Sequence, residues 1–276
     1  MNSRAADVPR PCALTIAGSD SGGNAGVQAD LRAFHSYGLH GCTVFAALTA
    51  QNPFAVTAVH DVPPDFVAAQ LDAVLGVYSI RALKTGMLSS VPVIETVADR
   101  LARHPEIAKV IDPVMVATSG ARLVPDDAVE ALSLRLLPLA TLITPNLPEA
   151  EVLVGGGLDM AARAADDNRA ELLARALYGK FGCAVLVKGG HGEGGEAVDV
   201  LFDGVSVRRF AMQRLENPVS THGTGCSLAA ALAAELALGH DLPTAVAGAK
   251  EYVHEAIRKS YLVGENCGVL GFVRRI

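Results

Sequence analysis

The chain is 276 residues long, half of them hydrophobic and 19% charged, a balance that can bury a core and excludes a disordered polyelectrolyte. With 23 Lys and Arg against 29 Asp and Glu, a formal net charge of −6 and no Lys/Arg-rich stretch, nucleic acid is excluded as a partner. The longest apolar stretch, 226–239, is interrupted by Glu235 and falls short of the ~18 residues of a membrane span.

Residues 1–11 carry Arg4, Asp7 and Arg10 and no apolar signal-peptide core, so they are expected to form a flexible lead into a single domain over 12–276. From there, apolar or β-branched runs alternate with segments of helical period. Strands are expected at 13–17, 43–48, 81–84, 109–112, 142–144 and 184–188. Helices are expected at 26–37, 65–75, 91–101, 126–136, 148–154 and 169–181. Continuously apolar strands between helices predict a parallel sheet covered on both faces, hence a three-layer α/β/α sandwich. The runs 197–202 and 206–210 flank Asp203-Gly204 and predict an antiparallel edge hairpin. Two more helices should follow, over 223–239 and, opened by Pro243, over 242–261. The glycine-led segment 155–167 is the best candidate for a loop. Five widely spaced cysteines with no C-x-x-C pair fit reduced thiols in a cytoplasm.

In open parallel sheets ligands bind beyond the carboxyl ends of the strands, which directs attention to Gly18, Gln51, Thr85, Asp112, Asn146 and Lys188. There is no P-loop, no zinc-peptidase motif and no nucleophile elbow. The run Gly190 to Gly195 matches G-x-G-x-x-G in form, but a strand follows it where a dinucleotide site needs a helix. The segment Thr221-His222-Gly223-Thr224-Gly225-Cys226 runs straight into a long helix. Such a start turns backbone amides toward one point and carries about half a positive charge, a cradle for phosphoryl charge; a ligand-free glycine cap is the alternative. A thiol in a first helical turn can have its pKa lowered and accept a proton, or it can be a buried, inert cysteine.

The glycine-bearing segment from Gly18 to Asp30 is either a site of close ligand approach or an ordinary strand-to-helix turn. Asn146 and Glu149, three apart, offer hard oxygen ligands for Mg²⁺, or a helix N-cap and its capping-box partner. Asp112 can add charge near such a metal or serve the turn before Pro113. Lys188 offers a cation to phosphates or is a solvated lysine. His191 and His222 have no second ligand at metal-site spacing and suit structural or rim positions.

In chain order, Ala17-Gly18-Ser19-Asp20-Ser21-Gly22-Gly23, Leu48-Thr49-Ala50-Gln51-Asn52, Lys84-Thr85-Gly86-Met87-Leu88, Ile111-Asp112-Pro113, Thr144-Pro145-Asn146-Leu147-Pro148-Glu149, Lys188-Gly189-Gly190-His191 and Thr221 to Cys226 together resemble the hydroxymethylpyrimidine/phosphomethylpyrimidine kinases of the ribokinase superfamily. The resemblance implies a ribokinase-like, usually dimeric fold without a separate lid sheet, with ATP and Mg²⁺ as cofactors. It implies two phosphorylations on the route to thiamine, of 4-amino-5-hydroxymethyl-2-methylpyrimidine and then of its monophosphate. By the same resemblance Gln51 hydrogen-bonds the aminopyrimidine and Gly18, Ala25, Asp30 and Met87 line its pocket. Asn146, Glu149 and Asp112 organise Mg²⁺, and Lys188, Asn146, Thr224 and His222 serve ATP. The backbone of Gly223, Thr224, Gly225 and Cys226 forms the anion hole, and Cys226 stands in the place of the catalytic base. Asn24 departs from the family's usual glycine and is expected to stiffen the loop. A pyridoxal or pyridoxine kinase is the alternative within the family, and Gln51 argues against it because vitamin-B6-preferring relatives often carry an apolar residue there. A Cys226/His222 hydrolase lacks a group to orient its base, and a non-catalytic nucleotide sensor would bind ATP without releasing ADP.

Overall fold

The computed structural model describes residues 10–115, 124–155, 166–190 and 195–275. Residues 156–165 of the expected loop, and 191–194 of the glycine-rich run that holds His191, lie outside them. In chain order the elements are β1 (Cys12–Asp20), α1 (Gly26–Ser36), β2 (His40–Asn52), β3 (Ala55–Asp61), α2 (Pro64–Leu75), β4 (Ile80–Thr85), α3 (Val91–Leu101) and β5 (Ala108–Ile111). Next come α4 (Asp126–Ala131), running on through a π turn over Leu132–Leu136, then β6 (Leu142–Ile143), α5 (Leu147–Val154), α6 (Asp166–Phe181) and β7 (Ala184–Val187). The chain ends with β8 (Glu196–Phe202), β9 (Val207–Gln213), α7 (Thr224–Ala237), α8 (Leu242–Arg258), β10 (Tyr261–Gly264) and β11 (Cys267–Val269).

Nine strands form one sheet in the order β3-β2-β1-β4-β5-β6-β7-β8-β9. From β2 to β7 every pairing is parallel. The hairpin β8–β9 is antiparallel at one edge, and β3 pairs antiparallel with β2 at the other. The strands are apolar on both faces because both are covered. Ala13, Ala82, Val110, Leu142 and Leu186 pack with α1, α7 and α8, whereas Leu14, Leu83, Ile111, Ile143 and Val185 pack with α2 to α6. Residues Leu228 to Ala234 of α7 are all buried. Its alanines let it lie close between the sheet and its neighbouring helices, since small side chains cost nothing in packed volume. No helix among the described residues is long and apolar enough to cross a membrane.

The expected sandwich and edge hairpin are present. Asp203 fixes the hairpin turn by accepting the N–H groups of Val205 (2.9 Å) and Ser206 (2.7 Å), with Gly204 at φ +93°. Sequence patterning missed β3 and the small β10–β11 ribbon. Strand order reverses at β1, which lies between β2 and β4, so a crevice opens at the carboxyl ends of β1 and β4. Strands β1 and β2 lose regular register toward this end: β1 against β2 between Ala17 and Gly18, and β2 against β3 between Ala50 and Gln51. Such irregularities re-aim side chains at sheet ends.

Candidate active site

One carboxylate shapes the loop after β1. Asp20 is buried; its Oδ1 accepts the Gly22 N–H (2.8 Å) and its Oδ2 accepts those of Asn24 (2.9 Å) and Ala25 (2.8 Å). Burial pulls this carboxyl upward, yet the His222 imidazole and the three amides outweigh that pull and hold it below the usual range. His222 Nε2 stands 3.9 Å from Asp20 Oδ2, an ion-pair distance rather than a hydrogen bond. Toward β2, Ser21 Oγ donates to the Gln51 carbonyl and accepts the Gln51 N–H, both at 2.8 Å. Thr49 Oγ1 donates to the Ser19 carbonyl (2.8 Å) and lies 3.1 Å from Gln51 Oε1; the Gln51 amide nitrogen has no hydrogen-bond partner among the described residues. A Cβ on Gly18 would stand 2.8 Å from Met87 Cε. Gly18 and Met87 are thus close neighbours, while Asp20 and Ser21 tie Ala25 and Gln51 to the loop that follows β1. Asn24 is buried and has no positive φ, so this position makes no demand for glycine.

Asp30 lies deeper than a pocket wall. It is 0% exposed, and its Oδ2 accepts Thr15 Oγ1 (2.6 Å) and Lys84 Nζ (2.9 Å) while Oδ1 has no partner. It forms, with the equally buried Lys84, an ion pair beneath the crevice. Sequence reasoning assigned Lys84 no role, although a lysine inside the apolar run of β4 was the available signal, because full burial demands a partner.

The start of α7 meets this loop from above. Gly223 caps the helix at φ +86°, and a Cβ there would overlap the Asn24 carbonyl oxygen, so loop and helix start are in backbone contact. The Ser227 N–H takes the Gly223 carbonyl (2.9 Å), and Thr224 turns back on the Thr221 carbonyl through its hydroxyl (3.0 Å). The amides of Gly225 and Cys226 have no backbone acceptor among the described residues and carry the positive end of the helix dipole. Cys226 is partly buried. The expectation of a lowered thiol pKa is not met. Burial pushes the thiol up and dominates; Lys84 is the strongest opposing influence, and Asp30 and Asp112 push further upward. A helix start lowers a thiol pKa only when the sulfur keeps enough solvation for the dipole to win.

On the far side of Gly225 lie the ends of β5, β6 and β7. Asp112 Oδ1 accepts Thr144 Oγ1 (2.9 Å) and Lys188 Nζ (2.7 Å), and Lys188 Nζ is 3.9 Å from Glu149 Oε2. Lys188 therefore faces a buried acidic pair rather than solvent. Burial raises the Glu149 carboxyl, Lys188 opposes that, and Asp112 adds to it. A Cβ on Gly225 would sit 3.9 Å from Lys188 Nζ and 4.0 Å from Asp112 Oδ2, which places this cluster against the helix start.

Asn146 and Glu149 form a complete capping box: Asn146 Oδ1 accepts the Glu149 N–H (2.9 Å), and Glu149 Oε2 accepts the Asn146 N–H (2.8 Å). Of the two readings of this pair, helix capping is present in the fold. Asn146→Ala is expected to cost about 1 kcal/mol of stability and Asn146→Ser to recover most of it, measured as urea-unfolding midpoints. Among the described residues no group of three or more His, Cys, Asp or Glu is arranged to hold a metal ion.

The phosphomethylpyrimidine kinase family model matches residues 20–271. The chain belongs to this family. It is 49% identical over 245 residues to the hydroxymethylpyrimidine/phosphomethylpyrimidine kinase of Rhizobium meliloti, covering 89% of this chain and 90% of that one. It is 45% identical over 270 residues to the thiamine biosynthesis bifunctional protein ThiED of Geobacter sulfurreducens, covering 98% of this chain and spanning 54% of that relative's length. Among solved structures, the ADP complex of Bacillus subtilis pyridoxal kinase superposes at a TM-score of 0.86 with 34% identity, over 96% of this chain and 98% of that one. Clostridium difficile phosphomethylpyrimidine kinase gives 0.77 with 36% identity, over 90% and 100%. The ribokinase-like sandwich is the fold these solved relatives share.

Proposed function

We propose that this chain is an ATP-dependent kinase that phosphorylates 4-amino-5-hydroxymethyl-2-methylpyrimidine and then its monophosphate, acting as a cytoplasmic homodimer in thiamine biosynthesis. One observation carries the reading: the amide-bearing start of α7 touches the Gln51-linked loop through Asn24 on one side and the Asp112–Lys188 cluster on the other. Acceptor and donor sides therefore meet at Cys226.

In this mechanism Gln51 uses its free amide to bind the flat heterocycle at the Gly18, Ala25 and Met87 rim, above Asp30. The acceptor hydroxyl lies toward Cys226, whose sulfur, once it has lost its own proton to solvent, takes the hydroxyl proton as a thiolate. The amides of Gly225 and Cys226 face the oxygens on which negative charge grows as the phosphoryl group moves in line. Lys188 Nζ holds ATP phosphates, with Thr224 and His222 at the same mouth. The uncommitted Asp112 Oδ2 and the carboxylate of Glu149 fit Mg²⁺ held mostly through water and phosphate oxygens, the mode this ion prefers, with Asn146 positioning Glu149. Bound there, Mg²⁺ would neutralise phosphate charge.

A coupled ADP-release assay across the pyrimidine, its monophosphate, pyridoxal and pyridoxine tests the assignment. Turnover of both pyrimidines is expected, with kcat/KM at least about tenfold above pyridoxal, a gap a single hydrogen-bonding group can supply. Gln51→Leu should shrink that gap. The fit to pyridoxal kinase makes a vitamin-B6 kinase the second reading, and a pyridoxal preference would replace the first with it.

A further inference from the structure

Two buried charges outside the site described so far are bound to its edge. Asp199 on β8 and Lys250 on α8 form an ion pair of 2.6 Å with side chains only 7% and 9% exposed. The other oxygen of Asp199 accepts the backbone N–H of Gly189 at 2.9 Å. Gly189 follows Lys188 at the end of β7, and a Cβ on it would overlap the Val198 carbonyl oxygen, so the turn lies flat against β8. From the other side Arg214 donates to the carbonyl of Gly190 (2.7 Å) and lies 3.4 Å from that of Gly189. The Lys188 N–H is tied to the Pro145 carbonyl at 2.8 Å.

Burying an ion pair seldom stabilises a fold more than apolar side chains of equal size would, so the pair calls for an explanation other than stability. We propose that Asp199, its buried charge balanced by Lys250, is a positioning residue for Lys188: it clamps the Gly189 amide and so holds the turn from which Lys188 reaches Asp112. The inference rests on Lys188 being a phosphate contact. Lys250 balances the buried charge through one carboxylate oxygen and leaves the other to the Gly189 N–H. The Lys188 ammonium then stands in one place, preorganised for the nucleotide, and misplacing such a group by about 1 Å costs up to about 10²-fold.

Two double variants separate clamp from charge. Asp199→Asn/Lys250→Met removes the ion pair but keeps an amide oxygen for Gly189; Asp199→Leu/Lys250→Met removes both and fills the space with apolar atoms. The Asn variant is expected to keep KM for ATP within about threefold of the parent. The Leu variant should raise it about tenfold, with KM for the pyrimidine unchanged and similar urea midpoints for the two. Equal ATP KM values in both variants, or both substrates' KM values rising together, would overturn the proposal. Should the Leu variant not fold, Asp199→Ala/Lys250→Met makes the same comparison. Lys188→Met run alongside tells the two failures apart. An unchanged ATP KM in that variant sinks the phosphate-contact reading, whereas a raised one beside an unaffected Leu variant sinks only the clamp.

Discussion

Cys226→Ala is expected to lower kcat by roughly 10²–10⁴, the usual contribution of a positioned general base, with little change in KM for either substrate. The pH profile carries more information than the magnitude. Burial holds the thiol above its ordinary value, with Lys84 opposing, so near neutrality it is almost wholly protonated in the free enzyme. Because kcat/KM reports free-enzyme ionisations, it should climb with pH through the neutral and alkaline range, with a slope approaching one per pH unit. In Cys226→Ala that limb should flatten. Cys226→Ser should be no better, since an alcohol is still harder to deprotonate.

The sign for stability is opposite. A raised thiol pKa favours the protonated fold, so its contribution is full below the ordinary thiol value and is lost as pH rises through the folded value. Activity and stability should therefore diverge on the alkaline side. Unchanged turnover in Cys226→Ala would remove the thiol from the chemistry and leave the amides of the helix start as the only agents at that point.

What could be read from the chain before folding was what depends on near neighbours. The capping box was visible because Asn146 and Glu149 are three residues apart, and the hairpin because Asp203-Gly204 bends the chain alone. The run over β1 announced a strand covered on both faces. By contrast β3 shows mostly exposed residues, so no buried face imposed a pattern on it. The depth of Asp30 was invisible for another reason. Its partner Lys84 is 54 positions away, and nothing local says that both side chains will be sealed beneath the crevice. Cys226 failed in the same way: helix position can be read from sequence, desolvation cannot. Asp199 and Lys250, 51 positions apart, join only because β8 and α8 come together in the fold.

Gly223→Ala is the second large effect expected, and it tests the joint between acceptor loop and helix start. The residue holds φ +86°, where a side chain costs about 1–3 kcal/mol. Its new Cβ would also press on the Asn24 carbonyl, a backbone atom fixed because the Asn24 N–H is bound to Asp20 at 2.9 Å. The clash cannot be relieved by a rotamer change, so the start of α7 and the loop must separate. Losing one well-aimed donor to a developing oxyanion costs roughly 10²–10³ in kcat, and displacing the helix start moves the amides of Gly225 and Cys226 together. A kcat loss of at least about 10²-fold should therefore accompany the loss of stability. Gly225→Ala provides the contrast, because its Cβ would meet Lys188 and Asp112 only at ordinary contact distance. That variant should fold normally, keep its urea midpoint and show its defect in KM for ATP, since on the proposed placement of ATP at Lys188 the methyl group would stand beside the phosphates. If Gly223→Ala were as active as the parent while Gly225→Ala lost turnover instead, the anion hole would not depend on the contact between Gly223 and Asn24, and acceptor and donor sides would have to be joined elsewhere.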